Sequence, residues 1–227
     1  MKNIKLEWNY YSDAQELNKL PRDKNGIYLW IMKHDSTPHI FYVGEGILWK
    51  RTISHFLESI IGRWMMFCWG IGNDDYMTFL KNNVSGKSLK EISDNKTILE
   101  LGKAENDLNI MEDILKENNE NMLRRIEYIN KRFCYAAAWS DDLDDKQVRL
   151  AVETLIIKKL KEFYIRKYKL EGLKHHTRPL DYFIAGIKKE KSIMNILVDI
   201  QLNHSGDYAK LPKEVTGIST YDINIDC

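Results

Sequence analysis

Two short apolar runs joined by a polar turn, with glycines beyond them and an amphipathic segment next, constrain this fold more than any other feature. Ile27 to Met32 is rich in β-branched and aromatic residues and reads as a strand, and Ile40 to Val43 reads as a second. Lys33 to His39, containing Ser36, Thr37 and Pro38, is the turn that makes them a β-hairpin. Gly44 and Gly46 break the second strand. Residues 47–62 then read as a helix, with Ile53, Phe56, Leu57, Ile60 and Ile61 as one buried stripe and Gly62 as its end. Arg51 and His55 are four residues apart and share one face of that helix.

The other elements are fainter. Residues 10–18 read as a short helix with Ser12 or Asp13 as N-cap and Glu16 in its first turn, closed by Leu20-Pro21. Residues 105–132 are charged with scattered apolar positions, which suggests a long surface helix or a helical pair. Phe133 to Trp139 reads as a buried strand, and the acidic loop Ser140 to Asp145 can cap the helix after it. Residues 146–162 form that helix, with Val148, Val152, Leu155, Ile156 and Leu160 as the core face. Glu153 borders that stripe. Ser192 to Asn203 reads as a last helix. Ser85-Gly86-Lys87-Ser88 lacks the first glycine of a phosphate-binding loop, so that reading is rejected.

A chain of 227 residues with 44% hydrophobic content fits one generous domain, or one domain with a large insertion. Three scattered cysteines (Cys68, Cys134, Cys227) without CxxC spacing argue for a reducing compartment and against a disulfide framework or zinc site. No signal peptide or membrane-spanning run is visible, so the expected location is the cytoplasm. The net charge of +1 hides an asymmetry. Residues 146–191 carry 13 Lys and Arg against 5 Asp and Glu, whereas residues 65–145 carry 10 against 16. The basic block suits a phosphate-facing surface, and equally a solvated helix.

The order Gly26-Ile27-Tyr28, Tyr42-Val43-Gly44, Arg51-Thr52-Ile53-Ser54-His55, and then Glu153 within Leu150-Ala151-Val152-Glu153-Thr154-Leu155-Ile156, resembles the GIY-YIG nuclease family. The match covers roughly residues 24–62 and 133–162. It implies an α+β fold: a small three-stranded antiparallel sheet flanked by helices. A helical insertion at about 65–132 separates the two matched parts, and residues 192–227 form a C-terminal extension to a domain spanning 1–191. Glu45 stands where the family often has a lysine, and Phe163 to Lys174 holds no counterpart of the family's asparagine.

The resemblance implies metal-dependent cleavage of DNA. Tyr28 or Tyr42 would serve as general base, with Tyr28 preferred, although either could be a core ring bonded to backbone. Arg51 would offset charge on the scissile phosphate. His55 would position a phosphate oxygen or relay a proton. Glu153 would bind Mg2+ (or Mn2+), since magnesium takes one or two carboxylates and keeps several waters; the plain alternative is a helix glutamate paired with Arg149.

Candidate DNA-facing residues are Lys50, Lys158, Lys161, Arg166, Lys167, Lys169, His175, His176 and Arg178, with Tyr164 and Tyr168 interleaved among the cations. Adjacent His175 and His176 read as a basic loop rather than a metal site. Cutting both strands with one metal site per chain would favour a homodimer. Two other readings stay open: a DNA-binding module of the same fold without turnover, and a helical interaction protein.

Overall fold

The computed structural model describes residues 2–34, 37–60, 126–127, 129–131, 133–168 and 200–218. Its strands are β1 (Lys2–Tyr11), β2 (Asn25–His34), β3 (Thr37–Ile47), β4 (Phe133–Trp139) and β5 (Ile200–Gly206). Its helices are α1 (Leu48–Ile60), α2 (Lys146–Tyr168) and the short α3 (Lys213–Thr216). The strands form one sheet in the order β3-β2-β4-β1-β5. Four pair antiparallel, and β5 runs parallel to β1.

This corrects the expected three-stranded antiparallel sheet. The β3-β2-β4 unit is present, but the sheet is five-stranded and mixed. The added strands have a physical cause. In β1, Ile4, Leu6 and Trp8 are buried while their neighbours Lys5 and Glu7 are exposed, the period of a half-buried strand. Pairing with β1 also satisfies the free edge of β4. Residues 10 and 11, read as the start of a helix, end β1 instead. The helical turn after it is a 3-10 helix at Ala14–Lys19, capped by Asp13, whose carboxylate accepts from the amides of Gln15 and Glu16. Residues 200–203, read as part of a last helix, belong to β5. Apart from 126–127 and 129–131, the expected insertion lies outside the described residues.

The hairpin is present but longer than the sequence suggests: β2 and β3 take in most of the expected Lys33–His39 turn, and β3 runs on through Gly44 and Gly46, where the sequence suggests a break. Gly26 pairs with Gly46, Tyr28 with Gly44 and Trp30 with Tyr42. A register shift comes after Trp30, since Ile31 pairs with Ile40, and Phe41 is the extra residue of a β-bulge. On the other side β2 pairs with the alanines of β4, Ile27 with Ala138, Tyr28 with Ala137 and Leu29 with Ala136. These small side chains leave room beside the large ones of β1 and β2. Trp30 packs edge-on against Phe133 and Tyr135 at centroid distances of 5.7 and 4.8 Å, the offset geometry aromatic rings favour.

α1 starts where the Leu48 amide donates to the Lys24 carbonyl at 3.0 Å, which ties the helix to the loop before β2. Its buried positions are Leu48, Thr52 and His55. Of the expected stripe, Ile53 and Phe56 are half-buried against the core and Leu57 is 55% exposed, while the side chains of residues 60 and 61 lie outside the described ones. α2 buries the expected Val148, Val152, Leu155, Ile156 and Leu160, and Arg149 and Glu153 with them. Asp145 caps α2 by accepting from the Gln147 amide at 2.7 Å. Among the described residues no helix is long and apolar enough to cross a membrane.

Candidate active site

Strand alternation places Tyr28, Gly44 and Tyr42 on one face of the hairpin. Tyr28 and Tyr42 sit at a diagonal, not directly opposite, and the bulge at Phe41 lies immediately next to Tyr42. Their rings lie 6.0 Å apart. A side chain at the intervening Gly44 would collide with the Tyr28 hydroxyl and ring, so glycine there makes the space the phenol occupies. Gly46 adopts φ +129°, a backbone conformation open to glycine, and the Arg51 side chain crosses directly over it.

α1 brings the next two groups onto the same face. His55 is buried, and its Nε2 lies 3.0 Å from the Tyr28 hydroxyl. Its ring also packs edge-on to Tyr42 at 5.1 Å. Arg51 is exposed as a residue, yet its charge acts on the Tyr28 and Tyr42 phenols. Tyr28 is only 1% exposed and Tyr42 is half-buried. The Tyr28 hydroxyl thus meets His55 directly and feels both Arg51 and Tyr42 electrostatically.

The environment shifts every titrating group in this cluster. Burial, and then the Tyr42 phenol, raises the Tyr28 pKa well above its ordinary value, with Arg51 pulling the other way. Tyr42 is pushed up to about 12, by burial first and by the Glu153 carboxylate second. His55 is pulled down to about 4 by burial and by the Arg51 charge, so it is neutral at physiological pH. Burial opposes the Arg51 charge, but the two phenols outweigh it and raise its pKa.

Glu153, distant in sequence, lies 4% exposed on α2 and acts directly on Tyr42. The expected alternative partner of Glu153 is engaged elsewhere. Arg149 pairs with Glu45 at 3.1 Å and donates from Nη1 to the carbonyls of Leu143 and Asp144 at 2.7 and 2.8 Å. Glu45 thus joins β3 to α2. No cluster of three or more His, Cys, Asp or Glu side chains fit to share an ion occurs among the described residues. Magnesium commonly takes only one or two carboxylates and keeps several waters, so a lone carboxylate such as Glu153 needs no such cluster to hold it.

Of the DNA-facing candidates, Lys50 is exposed in the first turn of α1 and Lys158 is half-buried on α2. Lys161, Arg166 and Lys167 lie along the C-terminal part of α2. Lys169, His175, His176 and Arg178 lie outside the described residues. Two participants were not anticipated. Glu58, one turn after His55, places Oε2 3.6 Å from His55 Nδ1, a spacing of three residues that the helix pattern contains. Arg22 stacks over Trp49 at 4.9 Å, in the same region as exposed Lys24 and Lys50, and no local sequence pattern pointed to it. No protein-family model, curated protein or solved structure matches the chain.

Proposed function

We propose that this protein is a magnesium-dependent endonuclease that hydrolyses DNA phosphodiester bonds at the Tyr28–Tyr42–Arg51–His55–Glu153 cluster. One observation carries the reading. Residues from β2, β3 and α1 gather around the Tyr28 phenol, and the buried Glu153 carboxylate of α2, more than a hundred positions away in sequence, acts on Tyr42. A fold with no use for them would have little reason to bury a histidine, two tyrosines and a glutamate together, since each polar group buried needs a partner.

The chemistry assigns each residue a task. Tyr28 takes a proton from the attacking water, and His55 Nε2 receives the Tyr28 proton in turn. Arg51, exposed at its outer end, faces the scissile phosphate and offsets the charge that grows on its oxygens. Tyr42 packs beside Tyr28 and feels the Glu153 charge. The metal, bound at Glu153, would act as a Lewis acid on phosphate and leaving oxygen. Exposed Lys50, with Lys24 and Arg22 near the start of α1, would contact flanking phosphates. Cutting both strands with one such site per chain would use two copies, and the expected location remains the cytoplasm.

The test is plasmid cleavage by the pure protein in Mg2+. The parent should nick supercoiled DNA, and Glu153→Ala should abolish nicking while keeping salt-sensitive DNA binding. Nicking by Glu153→Ala at the parent rate removes the metal role. Salt-sensitive binding by a parent that never cuts would make the chain a binding module of the same architecture.

A further inference from the structure

We propose that Glu58 is a positioning residue that fixes the tautomer of His55, keeping the proton on Nδ1 so that Nε2 accepts from the Tyr28 hydroxyl. The inference rests on the reading of Tyr28 and His55 as the proton path, and it adds a residue that the sequence resemblance does not supply.

The geometry is local and specific. His55 Nε2 is 3.0 Å from Tyr28 Oη, within hydrogen-bond distance, so one of the two atoms carries the shared proton. If Nε2 carries it, His55 donates and Tyr28 must give its own proton to another acceptor, with Tyr42 the neighbour that can take it. If Nε2 is bare, Tyr28 donates to it, and a proton leaving Tyr28 has a base waiting. These arrangements place opposite demands on the far side of the ring. In the first, Nδ1 presents a lone pair. In the second, it presents an N–H.

Glu58 Oε2 lies 3.6 Å from Nδ1, too far for a strong hydrogen bond but close enough for charge to decide. A carboxylate facing a lone pair is repelled, and facing an N–H it is attracted. His55 Nδ1 is buried, so that interaction is less screened than it would be in water. Among the described residues, the other groups shown around His55 are Tyr28 and Tyr42 from the sheet and Arg51 on its own helix, and none of these three places a negative charge at Nδ1. Glu58 is itself partly exposed, with its side chain 36% accessible, so changing it leaves the core intact.

When Tyr28 takes a proton from water, its own proton crosses to Nε2. The water oxygen bonds to phosphorus as it loses its proton, the P–O bond to the departing sugar oxygen breaks and leaves an alkoxide that takes a proton from solvent, Tyr28 ends neutral, and His55 ends as an imidazolium with both nitrogens protonated. The new positive charge then faces the Glu58 carboxylate, which favours the transfer a second time.

The deciding experiment reads the tautomer directly, from the ring 15N shifts of His55 in the labelled full-length protein near pH 7. In the parent, Nδ1 should show the protonated shift and Nε2 the bare one. Glu58→Ala should move the ring toward the Nε2–H form, whereas Tyr28→Phe should leave Nδ1 protonated, because the carboxylate and not the phenol sets the preference. In DNA cleavage Glu58→Ala should lower kcat about tenfold or more with KM unchanged, as loss of the correct tautomer does, and Glu58→Asp should recover part of it. A parent already in the Nε2–H form, or a Glu58→Ala ring unchanged from the parent, overturns the proposal whatever the cleavage rate. The expected shifts in a protein that cuts no DNA uphold Glu58 and overturn the nuclease reading alone.

Discussion

Arg149 holds Glu45 at 3.1 Å across the gap between α2 and β3, in the position where the resembled family often carries a lysine. Both side chains are largely removed from solvent, and Arg149 also donates to two carbonyls of the turn before α2. The pair therefore fastens the helix that bears Glu153 to the strand that bears Tyr42. Breaking one half of a buried pair leaves the other charge uncompensated. Glu45→Gln should cost about 3 kcal/mol in urea denaturation, and Glu45→Lys more, because it sets two cations against each other. A loss below about 0.5 kcal/mol would place the pair among solvated ones.

Gly44 has no room for a side chain. A methyl group there meets both the Tyr28 hydroxyl and the ring carbon that bears it. Gly44→Ala should therefore destabilise the protein by about 1–3 kcal/mol, as overpacking of a filled site does. Tyr28→Phe should not relieve the clash, since the ring carbon remains, whereas Tyr28→Ala should. Urea melts of the two singles and the double variant check this: Gly44→Ala should be nearly free of cost in the Tyr28→Ala background, and simple additivity would reject the contact.

The hairpin, the β4 strand, the α2 core stripe and the Asp145 cap were legible because each is written in a local pattern. β1 was legible in principle. Ile4, Leu6 and Trp8 alternate with charged residues, but a helix-cap signal at Ser12–Asp13 drew the boundary two residues too early. β5 was not legible, because Ile200 and Leu202 are its only buried apolar residues and the rest is Gln, Asn, His, Ser and Gly. An edge strand held by backbone pairing needs little apolar pattern. One position of the α1 stripe misled for a different reason: the sheet face offers partners to His55, which is buried, whereas Leu57 is exposed. That Arg51 and His55 share a helix face was readable from their spacing, but the diagonal register of Tyr28 and Tyr42, the bulge at Phe41 and the Glu45–Arg149 strut depend on pairings between remote segments.

Two histidines make stability fall with acid. Trp8 Nε1 donates to His204 Nδ1 at 2.9 Å, which leaves His204 Nε2–H to donate to the Ile218 carbonyl at 2.8 Å. That arrangement admits only the neutral ring. Burial lowers the His204 pKa, and burial with the Arg51 charge pulls His55 down to about 4. A lowered folded-state pKa means that the unfolded chain binds protons first. The stabilisation is therefore complete above the ordinary value near ~6.5 and is lost as pH falls toward the folded value. For His55 the loss is about 2 kcal/mol by about pH 5. Urea melts between those limits should show the decline, and His55→Asn should flatten much of it. His204→Phe should cost about 1–3 kcal/mol at neutral pH by leaving the Trp8 indole N–H without its acceptor. A stability independent of pH over that interval would contradict both assignments.

The same burial bears on how the base works. Tyr28 is buried and its pKa lies well above the ordinary phenol value, and even Tyr42 reaches about 12, so a standing phenolate is rare near neutrality. If the reaction nonetheless required one, the population of the active form would rise tenfold per pH unit, and log kcat/KM would climb with slope +1 from pH 7 to 9. A concerted path through Tyr28 to neutral His55 needs no phenolate. His55, held down at about 4, keeps its acceptor open across the whole neutral range. The cleavage rate in Mg2+ should therefore be nearly flat between pH 6 and pH 8 and decline only as His55 becomes protonated on the acid side. Tyr28→Phe should lower the rate by about 10² or more at every pH in that range, because the relay loses its middle member. A +1 slope in the parent that disappears in Tyr42→Phe but survives in Tyr28→Phe would transfer the base to Tyr42 and leave His55 as a packing partner of both rings.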